Sequence, residues 1–124
     1  MWHSCARYTV DAFFAGKDVQ ARELFDAYVS FLRGIGDFVV DPNKTRIAFQ
    51  NRGRFATVQR VRRDGLVIGF WLKRPVDNAR FLRVERIPPN NYVYSLLLRG
   101  PEDLDDELRS WLREAYRVGN QQQS

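Results

Sequence analysis

An α+β fold, with helices segregated to one face of an antiparallel sheet, is what three features of this sequence predict. Stretches with helical apolar spacing, residues 18–35 and 103–119, bracket a long strand-type stretch, residues 38–98. Short turn signals divide that stretch, which favours hairpins over parallel crossovers. Each helix has an apolar stripe to bury, so it must lie on the sheet. The prediction is two N-terminal helices, an antiparallel sheet of about five to six strands, and a C-terminal helix packed on the same sheet face.

Each element has a local reason. Thr9 can cap a short helix reaching Phe14, with Gly16 ending it. Asp18 can cap the next, whose apolar positions Ala21, Leu24, Phe25, Tyr28, Phe31, Leu32 and Ile35 follow the i, i+3, i+4, i+7 rule. Gly34 and Gly36 mark its end. The last helix begins near Asp103 and buries Leu104, Leu108, Trp111, Leu112 and Ala115, and Gly119 stops it. Asp105, Asp106 and Glu107 in its first turn and Arg117 in its last suit the helix dipole.

The turns set a register. Asn51-Arg52-Gly53 reads as a three-residue hairpin loop with Gly53 left-handed, and Asp64-Gly65 as a two-residue type I′ loop. These loops place Ala48 opposite Ala56, Phe49 opposite Phe55, Arg60 opposite Gly69 and Val58 opposite Trp71. One face then carries Ile47, Phe49, Phe55, Val61, Ile68, Phe70 and Leu72, which is a core face. The other has a low floor of Ala48, Ala56 and Gly69. Lys44, Arg46, Arg60, Arg62 and Lys73 rim it, with Trp71 as its one large aromatic. Strand 92–98 is apolar on both faces and should be central, whereas 81–87 alternates less cleanly and reads as an edge. An uncovered edge makes a homodimer an expectation.

At 124 residues the chain holds one core, assigned to residues 8–119 as a single α+β domain. Residues 1–7 form an N-terminal remnant, and residues 120–124 a polar tail expected to be disordered. No apolar run approaches the ~20 residues that span a bilayer, and no secretory signal is visible, so no membrane partner is expected. The single cysteine, Cys5, excludes an intramolecular disulfide, and the cytoplasm is the expected compartment.

Charge is the functional signal. Residues 41–90 hold twelve Lys/Arg against four Asp/Glu, a net of +8. The flanks carry −1 and −2, which closes the total at +5. Two readings fit the basic strand face: an open sheet shielded by long cations, or a groove for nucleic acid or a small anionic ligand. Trp71 is either a stacking platform or buried by the later strands.

Catalysis has little support. The only histidine and the only cysteine, His3 and Cys5, sit at the N-terminus, away from any rigid scaffold. Glu85, inside a basic strand, reads as a partner for neighbouring arginines, and Asp41 as a turn residue. No glycine-rich phosphate loop joins a strand to a helix. Arg109, Arg113 and Arg117 read as a solvated stripe paired locally with Asp105 and Glu114.

Several segments carry a resemblance. They are Lys44-Thr45-Arg46-Ile47-Ala48-Phe49, Arg54-Phe55-Ala56, the Arg63-Asp64-Gly65-Leu66 turn, Tyr92-Val93, Asp106-Glu107-Leu108, Trp111-Leu112 and Glu114-Ala115-Tyr116. They resemble a bacterial family of uncharacterised domains, domain-of-unknown-function family 5655, from about Tyr8 to Gly119. The resemblance implies an α+β domain, found alone or beside other modules, and no established activity. Its members often carry histidine near the strand where this chain has Tyr94, so no general-base role is carried over. His3-Ser4-Cys5 resembles the end of a zinc ribbon that precedes the domain in some relatives. A structural zinc needs four ligands, and this chain lacks the first half, so neither metal nor cofactor is expected. The expected function is a non-catalytic binding domain contacting nucleic acid or another polyanion through Lys44, Arg46, Arg60, Arg62, Trp71 and Lys73. The alternatives are a small anionic ligand or a protein partner, and third an enzyme of unnamed reaction.

Overall fold

Thr9 and Asp18 open the N-terminal helices of the computed structural model, which describes residues 8–121. The Thr9 hydroxyl accepts from the Ala12 N–H at 3.0 Å and caps α1 (Val10–Phe14). Asp18 accepts from the Gln20 N–H at 3.0 Å and caps α2 (Val19–Arg33). Each satisfies a donor that a first helical turn leaves unpaired. Gly16, with φ at 77°, makes the turn between them. Of the expected α2 stripe, Ala21, Leu24, Phe25, Tyr28 and Leu32 are buried, Phe31 is partly buried, and Ile35 packs on the core from just beyond the helix.

Six strands follow: β1 (Val39–Pro42), β2 (Ile47–Gln50), β3 (Arg54–Arg62), β4 (Gly65–Leu72), β5 (Phe81–Ile87) and β6 (Asn91–Leu98). They form one antiparallel sheet in the order β1-β2-β3-β4-β6-β5. β6 therefore lies inside the sheet, and β1 and β5 are its edges. A 3-10 turn (Pro101–Asp103) leads into α3 (Asp106–Gln121). Helices α2 and α3 pack against the same sheet face, α3 on β3 and β4 and α2 on β4. None of the described helices is long and apolar enough to cross a membrane.

Aromatic rings fill the two ends of this core. At one end Phe49 meets Phe25, Tyr28 and Phe38 at centroid distances of 5.5 to 6.2 Å. At the other, Trp111 of α3 lies 6.1 Å from Phe70 and 4.9 Å from Phe81. Such ring pairs add to the free energy of burying large apolar area.

The register differs from the expected one because β3 carries two bulges. Phe49 pairs with Ala56 and Gln50 with Arg54, which leaves Phe55 as the extra residue against β2. Val58 pairs with Ile68 and Arg60 with Val67, which leaves Gln59 as the extra residue against β4. Consequently Ala48 opposes Thr57, not Ala56, and Gly69 opposes Thr57, not Arg60. The expected core residues Ile47, Phe49, Phe55, Ile68, Phe70 and Leu72 are all buried, and Val61 packs against them. Ala56, expected on the far face, lies in the core beside Val58.

Turn chemistry also differs. Gly53 is not left-handed; Asn51 closes its loop, accepting from the Arg52 N–H at 2.7 Å and donating to the Tyr116 carbonyl at 2.9 Å. The β3–β4 turn is Arg63–Asp64, and Gly65 already belongs to β4, paired with Arg62. Its φ of 154° and the Leu98 carbonyl, which a Cβ would strike, explain the glycine. Helix α3 starts at Asp106, three residues later than expected, with Asp105 accepting from the Leu108 N–H at 3.0 Å. Gly119 does not stop α3, which runs through to Gln121. A Cβ at Gly119 would come within 2.6 Å of Asn51 Oδ1 and 2.9 Å of Phe55 Cβ. The glycine lets the helix approach the β2–β3 turn. Residues 1–7 and 122–124 lie outside the described residues.

Two predictions follow from this packing. Gly119→Ala gains about 1 kcal/mol of helix propensity but overpacks a contact with backbone and core, and should lower stability by about 1–2 kcal/mol net. Gly69→Ala, whose Cβ meets mainly the movable end of Gln59, should cost less. Urea unfolding of both variants checks the order. Tyr28 is fully buried, and its hydroxyl has no hydrogen-bond partner among the described residues. Burial pushes its pKa up. Tyr28→Phe removes that desolvated group and should raise stability by about 0.5–2 kcal/mol in the same experiment.

Candidate anion-binding surface

The sheet face away from the helices is buried at its centre. Ala48, Thr57, Val67, Gly69 and Ser95 are buried there. The bulge at Gln59 supplies part of the cover. The Ser95 hydroxyl bonds Gln59 Oε1 at 3.2 Å, and a Cβ on Gly69 would run into Gln59 Nε2. The expected floor is therefore absent as an open surface: Ala56 has gone to the core, and Gly69 sits under a side chain.

The six expected site residues do not form one group. Lys44 and Arg46 occupy the β1–β2 turn. Asn43 Oδ1 holds it by accepting from the Thr45 and Arg46 N–H groups at 3.2 and 3.1 Å. Both cations are exposed. Lys44 and Arg60 meet Lys17, from the α1–α2 turn, around a shallow cavity of about 340 Å³. Ala12, Phe13, Ala15, Thr45 and Val61 complete its wall, which has no carboxylate among the described residues. Arg62 is bonded to Asp64 at 3.2 Å and faces a second cavity of about 460 Å³. That one mixes Arg63 and Arg99 with Asp18, Glu23 and Asp64. Trp71 is half-buried opposite Val93, four residues along β4 from Val67, the partner of Arg60. At ~3.3 Å per residue that is about 13 Å. Lys73 is exposed just past the same end of β4. Trp71 and Lys73 are thus separated from the Lys17–Lys44–Arg60 cavity.

Other cations are committed to structure. Arg74 makes a forked contact with Glu114 at 2.9 and 3.1 Å. Arg80 reaches Asp105 at 3.1 Å, Glu107 at 3.0 Å and the Asp103 carbonyl at 3.1 Å, with its guanidinium 5.7 Å from the Trp111 ring. These bonds tie residues 73–80 to the start and middle of α3. Burial works against the Asp105 carboxylate, but the Leu108 N–H and the Arg80 guanidinium overcome it and hold its pKa below the usual range.

Asp105 and Glu114 therefore do not serve Arg109, Arg113 and Arg117 as expected. Arg109 instead lies over the Phe31 ring at 4.7 Å, with a buried Nε that has no partner among the described residues. Glu85, expected to pair with nearby arginines, forms no ion pair among them either.

Residues 10–119, from the start of α1 into α3, match the family model described as Domain of unknown function (DUF5655). The chain belongs to that family. Its description names no activity, so membership fixes the kind of domain and leaves the chemistry to the residues. No curated protein and no solved structure matches the chain. Among the described residues no group of three or more His, Cys, Asp or Glu is placed to hold a metal. His3 and Cys5, the ribbon-like fragment, lie outside them.

Two residues of this surface were not singled out from the sequence. Lys17 carried a weak signal, a cation next to the Gly16 turn. Gln59 carried none, because its position depends on the bulge. The Arg80 network yields a prediction. Arg80→Ala should lower stability by about 1–2 kcal/mol through lost hydrogen bonds and ring contact. The depressed Asp105 contributes stability above its ordinary pKa of about 3.9, lost as pH falls through the lower folded value. Arg80→Ala should therefore show a shallower loss below about pH 4 than the parent, measured by urea unfolding across pH.

Proposed function

We propose that this domain is a non-catalytic binding module for polyanions, nucleic acid foremost, and that Lys17, Lys44, Arg46 and Arg60 form its contact surface. The observation that carries the reading is the convergence of three cations from three separate elements on a cavity with no carboxylate among the described residues. Cations held apart by covalent and tertiary structure repel one another, and a bound phosphate relieves that repulsion. Arg46, exposed in the same turn as Lys44, extends the surface. Trp71 is too far along β4 to stack on a base held there, so affinity comes from charge and sequence preference is small. The chain's only histidine and cysteine, His3 and Cys5, give little support for acid–base or thiol catalysis. A chain with one cysteine has no need of an oxidising compartment, which suits the cytoplasm.

A second reading has its own support. A cavity of about 340 Å³ is large enough for one small phosphate- or carboxylate-bearing ligand.

Fluorescence anisotropy with labelled DNA and RNA separates the two. With two to four phosphate contacts, affinity should fall about 10- to 150-fold between about 50 and 200 mM salt. Reversing Arg46 and Arg60 to Glu should weaken binding by at least about ten-fold. Reversing Arg113 and Arg117 alters net charge equally on exposed α3 positions and should change it little. Equal loss from both pairs rejects a defined surface. No oligonucleotide binding at low salt, together with saturable phosphate or pyrophosphate binding by calorimetry, favours the small ligand. Binding of neither overturns both readings.

A further inference from the structure

The two edges of the sheet are unlike. β1 has four residues and ends in Pro42, which has no N–H to offer a partner strand. β5 has seven residues and no proline, an edge of about 23 Å at ~3.3 Å per residue. Its outer side carries backbone donors and acceptors with no neighbouring strand among the described residues. Leu82, Val84 and Ile87 on it are 50%, 48% and 40% exposed. Arg83 and Glu85, on either side of Val84, have no ion pair among the described residues. Both face away from the helices, opposite Ser95 and Val93 of β6.

We infer that β5 pairs antiparallel with β5 of a second copy of this chain, with the two-fold axis at Val84. Charge selects this register. A two-fold axis normal to a continuous sheet keeps every side chain on its own face, so each residue opposes one of the same parity and the axis falls on a residue. An axis at Arg83, Glu85 or Arg86 sets that residue against itself, like charge on like charge. An axis at Leu82 falls on the register shift between Phe81 and Arg83 and leaves Glu85 beyond the end of the opposing strand. An axis at Ile87 brings in Pro88 and Pro89, which lack N–H groups. An axis at Val84 sets Arg83 against the partner's Glu85, and by symmetry does so twice. It also packs Val84 on its own copy and lays Leu82 along the partner's Arg86. The strand is thus self-complementary in charge at one register, and the product is a continuous sheet of two copies. This inference is independent of the anion-binding reading.

Sedimentation equilibrium of the full chain, treated with nuclease and run from micromolar to millimolar concentration, tests it. The parent should move from monomer to dimer mass. Arg83→Glu and Glu85→Arg should each raise the dissociation constant about ten-fold or more, since each turns two attractive pairs into repulsive ones. The double variant Arg83→Glu/Glu85→Arg should return to within about three-fold of the parent, because the pairs are restored in reverse. That recovery also shows that neither substitution harms folding. A monomer throughout, a dimer indifferent to either single reversal, or a double variant that stays weak would each overturn the inference.

Discussion

Strand β3 holds one residue more than β2 can match at Phe55, and one more than β4 can match at Gln59. Both faces of the sheet depend on these insertions. At the first, Phe55 and Ala56 both serve the core, and Phe55 reaches Phe38 and Tyr116 at ring distances of 6.0 and 5.1 Å. That contact seats α3, whose Gly119 lies against the same residue. At the second, Gln59 comes to lie over Gly69 and meets Ser95. A regular β3 would expose that glycine and could bring only one of Phe55 and Ala56 to the core. Bulges also increase the local twist of the strand that carries them.

The cations divide by position. Arg74 and Arg80, in the connection that crosses from β4 to β5, find carboxylates on or just before α3. They fasten a segment that must pass the end of β6, helped by the Val76 N–H donating to the Tyr94 hydroxyl and that hydroxyl donating to the Arg74 carbonyl, both at 2.7 Å. The Tyr94 hydroxyl is thus spent on backbone groups. Lys17, Lys44, Arg46 and Arg60 have no such partners among the described residues, and that contrast separates structural charge from charge left to solvent or to a ligand.

Local rules made much of the fold legible. Thr9 and Asp18 cap where their chemistry says they should, and the stripes of α2 and α3 follow helical spacing because helices bury one side. Strand parity identified the core face for the same reason. Register was not legible: a bulge has no residue signature here, and Phe55 and Gln59 are ordinary strand residues. Glycines misled in proportion to how non-local their reasons are. Gly16 is conformational and was read correctly, whereas Gly119 is small because a turn of the sheet lies against it. Of the six candidate residues, the fold brings Lys44 and Arg60 to one cavity, draws Arg62 to Asp64, and leaves Trp71 and Lys73 at the far end of β4. Sequence parity says which face a side chain takes, not how far along it lies from another.

The dependence of β3 and β4 on α3 also bears on how the chain is made. Synthesis delivers β1 to β4 with only α1 and α2 to cover them, and residues 106–121 arrive after two further strands. In that interval Phe55 and Phe70 lack Tyr116 and Trp111, and the face they share is open to water. Partly covered sheets of this kind expose apolar surface to other nascent chains. The half-built domain is therefore most vulnerable to aggregation just before its final helix emerges from the ribosome.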